Sequence, residues 1–245
     1  MPRLDALRAD IGILRQMLRG MPRDLTHAQR LEAFYAPQAA HYDAFRERLL
    51  HGRRELIGSL PLPDGAHVVE LGGGTGRNVE FFGEKRARIA RIDVVDLCPA
   101  LVEQARLRGA GDERFHVTLA DATTWRPAQP VDCVYLSYAL TMIPDWRAAV
   151  SNAYAMLKPG GVLGVVDFYI SEKNPAPGLV RHGPLTRRFW PAWFGHDGVR
   201  LTPDPLAELR ALLPEHRLDE CRAPVPYLPL LRVPYYRFVG TKPPA

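Results

Sequence analysis

Residues 68–78, Val-Val-Glu-Leu-Gly-Gly-Gly-Thr-Gly-Arg-Asn, restrict the fold more than any other stretch. An apolar strand empties through glycines into an amphipathic segment. Glycine adopts positive φ at little steric cost and lets the backbone approach a ligand closely. A strand that ends this way before a helix start leaves backbone N–H groups facing a crevice, as in doubly wound α/β sheets. A glycine turn alone also serves as a plain structural connection or in dinucleotide-binding folds. Three carboxylates narrow the reading. Glu70 precedes the glycines, Asp96 ends the strand-like run Ile89–Val95, and Asp121 ends the run Phe115–Ala120.

Two adjacent ribose hydroxyls are donors, and an ionised carboxylate accepts from both. Asp96 therefore suits any ribose nucleotide. A carboxylate placed before the glycine turn would repel a pyrophosphate and attract an ammonium, so Glu70 and Asp121 carry the discrimination.

Glu-Leu-Gly-Gly-Gly-Thr-Gly, then Val-Val-Asp-Leu, then Ala-Asp-Ala resemble the motifs of class I S-adenosylmethionine (SAM)-dependent methyltransferases. The Leu-Lys-Pro-Gly-Gly turn at 157–161, before an apolar strand, is similar to theirs as well. The resemblance implies an α/β, Rossmann-like fold: a seven-stranded, mostly parallel sheet with an antiparallel last strand, plus N-terminal helices. It also implies that Gly72, Gly74 and Gly76 pack against the methionine part of SAM, with Glu70 beneath its ammonium. Asp96, with Leu97, would hold the ribose. Asp121, with Ala122, would hold the adenine. S-adenosylhomocysteine would be the product.

At 245 residues, 47% hydrophobic and 24% charged, the chain suits one domain with decoration. The expected division is a helical cap over residues 1–60 and a SAM-binding core over 61–245, with a lid insertion at 171–202. A net charge of +5 fits an anionic membrane surface, an anionic substrate or nucleic acid, and equally a basic soluble protein. Cys98, Cys133 and Cys221 have neither metal nor disulfide spacing, which fits a reducing compartment. No run of roughly 18 apolar residues exists, so no membrane span is expected.

Leu4, Leu7, Ile11, Leu14 and Leu18 recur at helical spacing, with Arg3, Arg8, Arg15 and Arg19 among them. Thr26 and Gln29 form a capping-box pattern. Pro37 suits the first turn of a helix reaching Ser59, with His51-Gly52-Arg53-Arg54 as a basic, solvated stretch within it. Tyr35 and Tyr42 are candidates to lie over the cofactor, and each is equally consistent with plain core packing. A short helix is expected over Arg77–Gly83. Val131–Tyr138 reads as a central buried strand, which places Ser137 beside the cofactor and Tyr138 at the reacting centre. A helix over Trp146–Leu157 and a strand over Val162–Phe168 follow. The aromatic-rich excursion at 171–202 reads as a substrate lid, and a satellite hydrophobic cluster is the competing reading. His182 lies in it as a candidate proton carrier, with a structural role standing against that one. Asp204-Pro205 is expected to cap a helix to Leu213. Strands are expected over Leu218–Arg222 and Tyr235–Thr241, joined by a proline-stiffened connection.

A narrower resemblance covers nearly the whole chain. Residues 27–35, 42–53, 72–78, 181–185 and 189–194 look like the N-methyltransferases of betaine-lipid synthesis. That resemblance implies trimethylation of the homoserine amine of diacylglyceryl-homoserine by an enzyme that is cytoplasmic and peripheral on the inner membrane face. The partners it implies are a lipid substrate and the enzyme that makes diacylglyceryl-homoserine, with no nucleic acid. Tyr138, Tyr42 and His182 are the catalytic candidates, and no metal is expected. A phospholipid or quinone methyltransferase, a nicotinamide-linked oxidoreductase and a non-catalytic SAM-binding module stand as alternatives.

Overall fold

Valine-rich runs build the sheet. Val68, Val69, Val94, Val95, Val134, Val165 and Val166 have no exposed surface, as expected where helices cover both faces of parallel strands. The computed structural model describes residues 24–37, 42–196, 198–226 and 228–244; the side chains of Tyr42, Ala44, Phe45 and Pro229 lie outside that description. The expected first helix, at Leu4–Leu18, lies outside the described residues as well.

In chain order the elements are α1 (His27–Tyr35), α2 (Tyr42–Leu49), α3 (Arg53–Ser59), β1 (Ala66–Leu71), a 3-10 stretch (Arg77–Arg88) and β2 (Ile89–Asp96). They continue with α4 (Pro99–Gly109), β3 (Phe115–Leu119), β4 (Val131–Ser137), α5 (Trp146–Met156) and β5 (Leu157–Phe168). The last four are α6 (Pro184–Gly195), α7 (Asp204–Leu212), β6 (His216–Val225) and β7 (Leu228–Thr241). The seven-stranded sheet runs β3-β2-β1-β4-β5-β7-β6. β1 to β5 are parallel, and β7 lies antiparallel between β5 and β6. Because β1 pairs with β2 on one side and β4 on the other, connections diverge at the β1/β4 boundary. Such a switch point opens a crevice beyond the carboxyl ends of the strands.

Several local expectations give way. The helix expected from Pro37 to Ser59 breaks at Gly52, which adopts φ 80°; a side chain there would meet the Tyr235 ring at 2.5 Å. Arg53 is buried, not solvated, and donates to the Leu50 carbonyl and to Asn78 Oδ1. The short helix after the glycine turn is 3-10 in form, with non-helical Gly83 inside it. Asp204 does not cap α7: Pro203 holds the cap position, and no side chain closes it. The expected proline-stiffened connection is largely a hairpin, with Pro224 paired to Arg232 and Pro234 to Arg222. Pro224 is tolerated because β6 is an edge strand, and Pro234 lies just beyond the last β5–β7 pair, Phe168 with Tyr235. The capping box of α1 forms as expected, with Gln29 N donating to Thr26 Oγ1 and Thr26 N to Gln29 Oε1.

Candidate functional site

The glycine turn leaves β1 at Leu71. Gly72 and Gly73 N–H both donate to the Val95 carbonyl, at 2.8 and 3.1 Å. Gly72, Gly74 and Gly76 all have positive φ. A Cβ on Gly72 would lie 2.6 Å from the Ala139 Cβ, so the turn packs directly on the chain leaving β4. Gly74 N–H donates to Asp96 Oδ2 at 2.8 Å, and Cys98 N–H donates to Asp96 Oδ1 at 2.9 Å. The Leu97 backbone also bonds this carboxylate, which with about four acceptor positions keeps room for a further donor. Asp121 Oδ1 accepts from both Thr123 N–H and Thr123 Oγ1, at 2.8 and 2.7 Å, and no described residue donates to its Oδ2.

These groups border a cavity of about 270 Å³ at the carboxyl ends of β1, β2, β3 and β4. Gly72, Gly74, Asp96, Leu97, Asp121, Ala122, Ser137, Tyr138 and Tyr35 all line it. The Ser137 hydroxyl is buried without a partner among the described residues. Tyr138, Met142, Phe168 and Val199 also line the cavity. α1 and α2 close one side through His27, Leu31, Arg46 and Leu50. Arg46 donates to the Tyr35 hydroxyl and lies over its ring. α2 is tied to the turn by charge: Thr75 Oγ1 donates to Asp43 Oδ1 at 2.7 Å, and Arg108 donates to Asp43 Oδ2 at 2.6 Å.

Tyr138 is the one non-glycine residue of positive φ, at 55°, among the described residues. Its N–H donates to Val166 O and its hydroxyl to the His51 carbonyl at 2.6 Å. The ring tilts against Phe168 with centroids 4.5 Å apart. Burial pushes the phenol well above its ordinary value. Its hydroxyl is a structural donor, and its ring is the part offered to the cavity wall. Strain of this kind concentrates at functional sites.

Three expected site residues do not line the cavity. Glu70 lies beneath the glycines with no exposed surface, and Asn78 Nδ2 and the Tyr135 hydroxyl donate to it at 2.6 and 2.8 Å. Burial pushes its carboxyl up to about 7. Gly76 serves packing, since a side chain there would meet the Phe115 ring at 2.8 Å. His182 is a correction to the proton-carrier reading. It is buried in the excursion, where Nδ1 accepts from Ser171 N–H and its own N–H donates to Ser171 Oγ. Burial, with Arg222 and Arg187 near, holds its imidazole down at about 4. Tyr42 begins α2, but its side chain lies outside the described residues.

The lid aromatics also behave differently from expectation. Trp190 and Phe194 are buried and stack on each other, Phe194 stacks on Phe168 at 4.9 Å, and neither Trp190 nor Phe194 lines the cavity. They support the wall from behind. Val199 is the part of the excursion that reaches the cavity. Sequence reasoning missed His27, Arg46, Thr123 and Thr141. Of these only Thr123 had a readable signal, the Asp-x-Thr turn after β3. Thr141 is fixed by the buried Asp167, which accepts from its N–H and hydroxyl and is pushed up to about 7 by burial.

Comparison with known proteins agrees with this architecture. Residues 41–212 match the family model described as a methyltransferase domain. A trans-aconitate 2-methyltransferase of Variovorax paradoxus (strain S110) is 34% identical over 127 residues, covering 51% of this chain and 48% of that protein. The ubiquinone/menaquinone biosynthesis C-methyltransferase UbiE of Hydrogenovibrio crunogenus is 26% identical over 150 residues, 57% of this chain and 59% of that protein. The chain spans about half the length of the curated relatives it matches. In fold, the Haemonchus contortus phosphoethanolamine N-methyltransferase 2, solved with S-adenosyl-L-methionine, superposes with a TM-score of 0.68 at 13% identity. That superposition covers 89% of this chain and 60% of the other. The family match sets aside the oxidoreductase alternative. With the glycine turn, the two strand-end aspartates and the inserted antiparallel β7 in place, this chain belongs to the methyltransferase-domain family and has the class I SAM-dependent methyltransferase fold.

Proposed function

We propose that this chain transfers methyl groups from SAM to a lipid amine, trimethylating the homoserine amine of diacylglyceryl-homoserine. The observation that carries this reading is a single cavity lined by two unlike sets of residues. One set is Gly72, Gly74, Asp96, Asp121 and the Ser137 hydroxyl, which has no partner among the described residues; the other is Tyr138, Phe168 and Val199, which share one hydrophobic cluster. The first set fits SAM. A cradle with φ near 56° at Gly74 admits close backbone approach, and Asp96 and Asp121 both keep acceptor capacity.

Bound SAM supplies an electrophilic methyl on a sulfonium. Asp96 would hold the ribose hydroxyls and Asp121 the adenine amino group, while Glu70 fixes the turn from below. The apolar set strips water from an incoming amine. Desolvation lowers an amine's proton affinity, and only the neutral form carries the attacking lone pair. With SAM bound, the amine lone pair would form the N–C bond as the S–C bond to the methyl breaks and its electron pair stays on sulfur, giving S-adenosylhomocysteine; the proton lost from the amine would pass to water. Tyr138 and Phe168 present ring faces to the nitrogen as it becomes cationic. Holding both reactants in line contributes about 7–11 kcal/mol. His182, locked to Ser171, takes no part.

A second reading is a small carboxylate acceptor. Arg46 borders the cavity, and relatives are named trans-aconitate 2-methyltransferases. The lipid reading rests on the sequence segments at 27–35, 42–53, 181–185 and 189–194 and on the apolar set of cavity residues. Purified protein is incubated with methyl-labelled SAM and, separately, diacylglyceryl-homoserine or trans-aconitate. The lipid reading expects label that extracts into the organic phase and yields no volatile methanol on treatment with alkali, since an N-methyl is stable there. Label that stays in the aqueous phase and is released by alkali as volatile methanol, as from a methyl ester, overturns it in favour of the carboxylate.

A further inference from the structure

Two exposed segments carry large apolar side chains and arginines together. On α6, Leu185 is 80% exposed and Trp193 is 40% exposed, with Arg181 and Arg188 exposed nearby. At the tip of the β6–β7 hairpin Leu230 is 94% exposed, followed by exposed Leu231 and Arg232. Single exposed leucines are ordinary in folded proteins, but a joined apolar patch marks an interaction site. Trp190 and Phe194 of α6 belong to one core cluster with Ala223, Val225 and Val233 of the hairpin.

Charge says what the patch meets. No Asp or Glu occurs from residue 173 to 196, nor from 221 to 245, although both stretches contain several arginines. Apolar side chains standing among arginines fit an anionic lipid interface: the leucines and Trp193 enter the acyl boundary while the guanidinium groups meet headgroup phosphates. Position supports the same partner. The cluster that α6 and the hairpin share also contains Tyr138, Phe168 and Val199, the apolar set lining the cavity.

We propose that the α6–hairpin face docks this chain on an anionic bilayer, with Leu185, Trp193, Leu230 and Leu231 inserted and Arg181, Arg188 and Arg232 at the phosphates. The proposal rests on the lipid-acceptor reading in that docking there delivers a membrane lipid headgroup to the cavity. It also specifies that the surface recognises negative charge, whichever lipid is methylated.

The test is co-sedimentation of the full chain with phosphatidylcholine vesicles prepared with or without phosphatidylglycerol, alongside a variant combining Leu185→Glu and Leu230→Glu. Wild type is expected to sediment with the phosphatidylglycerol vesicles alone, with binding falling as salt rises and tryptophan emission shifting to the blue. The variant should lose about tenfold or more in partitioning while binding SAM as wild type does, which shows that it is folded. Equal binding of wild type to both kinds of vesicle, or unchanged partitioning of the variant, overturns the proposal. Methylation separates the two readings. Vesicle binding without transfer to diacylglyceryl-homoserine upholds the docking face and removes the acceptor. Transfer to dispersed short-chain diacylglyceryl-homoserine by a protein that ignores vesicles does the reverse.

Discussion

Asn78 Nδ2 donates to Glu70 Oε1 at 2.6 Å on a carboxylate that has no exposed surface. Asn78 in turn accepts from Arg53 at 3.1 Å, so the helical cap, the glycine turn and β1 meet at one buried network. Glu70 is thus the keystone under the turn.

Its titration has a definite sign. Burial raises the Glu70 carboxyl from an ordinary value near 4.5 to about 7. Between those values the folded state holds a proton that the unfolded state releases, so stability falls as pH rises through that window. Asp167, raised from 3.8 to about 7, acts in the same direction. Glu70→Gln should flatten the decline in melting temperature between about pH 5 and 8 relative to wild type. Parallel curves for the two proteins would show that Glu70 stays ionised throughout.

Asp96 ties the cofactor-facing residues together through Gly74 N–H and Cys98 N–H. Asp96→Ala removes both acceptors along with the ribose contact, and should weaken SAM by about 1–3 kcal/mol by calorimetry. Gly74→Val should abolish SAM binding, because a β-branched residue is strained at φ 56° and its side chain would crowd the cradle. SAM affinity unchanged in either variant would remove the cofactor from these residues.

What was legible in the sequence follows physical range. The parallel strands are short runs rich in valine and isoleucine, most of them followed closely by Gly, Asp or Ser, so their existence needed little tertiary information, while their arrangement in the sheet came from the family resemblance. Asp96 and Asp121 were legible for the same reason, standing one step beyond such runs. The break at Gly52 was not, because its cause is the Tyr235 ring, brought from β7 by the fold. Gly76 looked like a ligand glycine but makes room for Phe115. His182 looked like a free imidazole near substrate until Ser171 occupied its Nδ1. The lid aromatics were visible as a group, but sequence could not tell a cavity lining from the layer supporting it.

His182 makes a separate prediction. Its imidazole is held down at about 4 against an ordinary 6.5, so between those values the unfolded chain binds the extra proton. Stability therefore rises with pH across that window and is complete above it. His182→Asn should reduce that rise in the melting temperature measured from pH 4 to 6.5, opposite in sign to the Glu70 effect. The pH profile of methyl transfer should stay as in wild type. A profile that loses an ionisation in this variant would restore His182 as a proton carrier.

Tyr138 separates a hydroxyl role from a ring role. The hydroxyl is spent on the His51 carbonyl, while the ring stands beside Phe168 on the cavity wall. Tyr138→Phe leaves one carbonyl without its donor, a loss of about 1 kcal/mol in stability, but keeps the wall. Turnover should then stay within a few-fold of wild type. Tyr138→Leu preserves apolar bulk and removes the π face that would steady the forming ammonium, and should lower kcat by about tenfold while leaving SAM affinity intact. Both variants keep a Cβ at φ 55°, so they carry the same backbone strain and the comparison isolates the ring. If Tyr138→Phe is the one that stops turnover, the phenol proton rather than the ring takes part, and the reading of the acceptor residues must change accordingly.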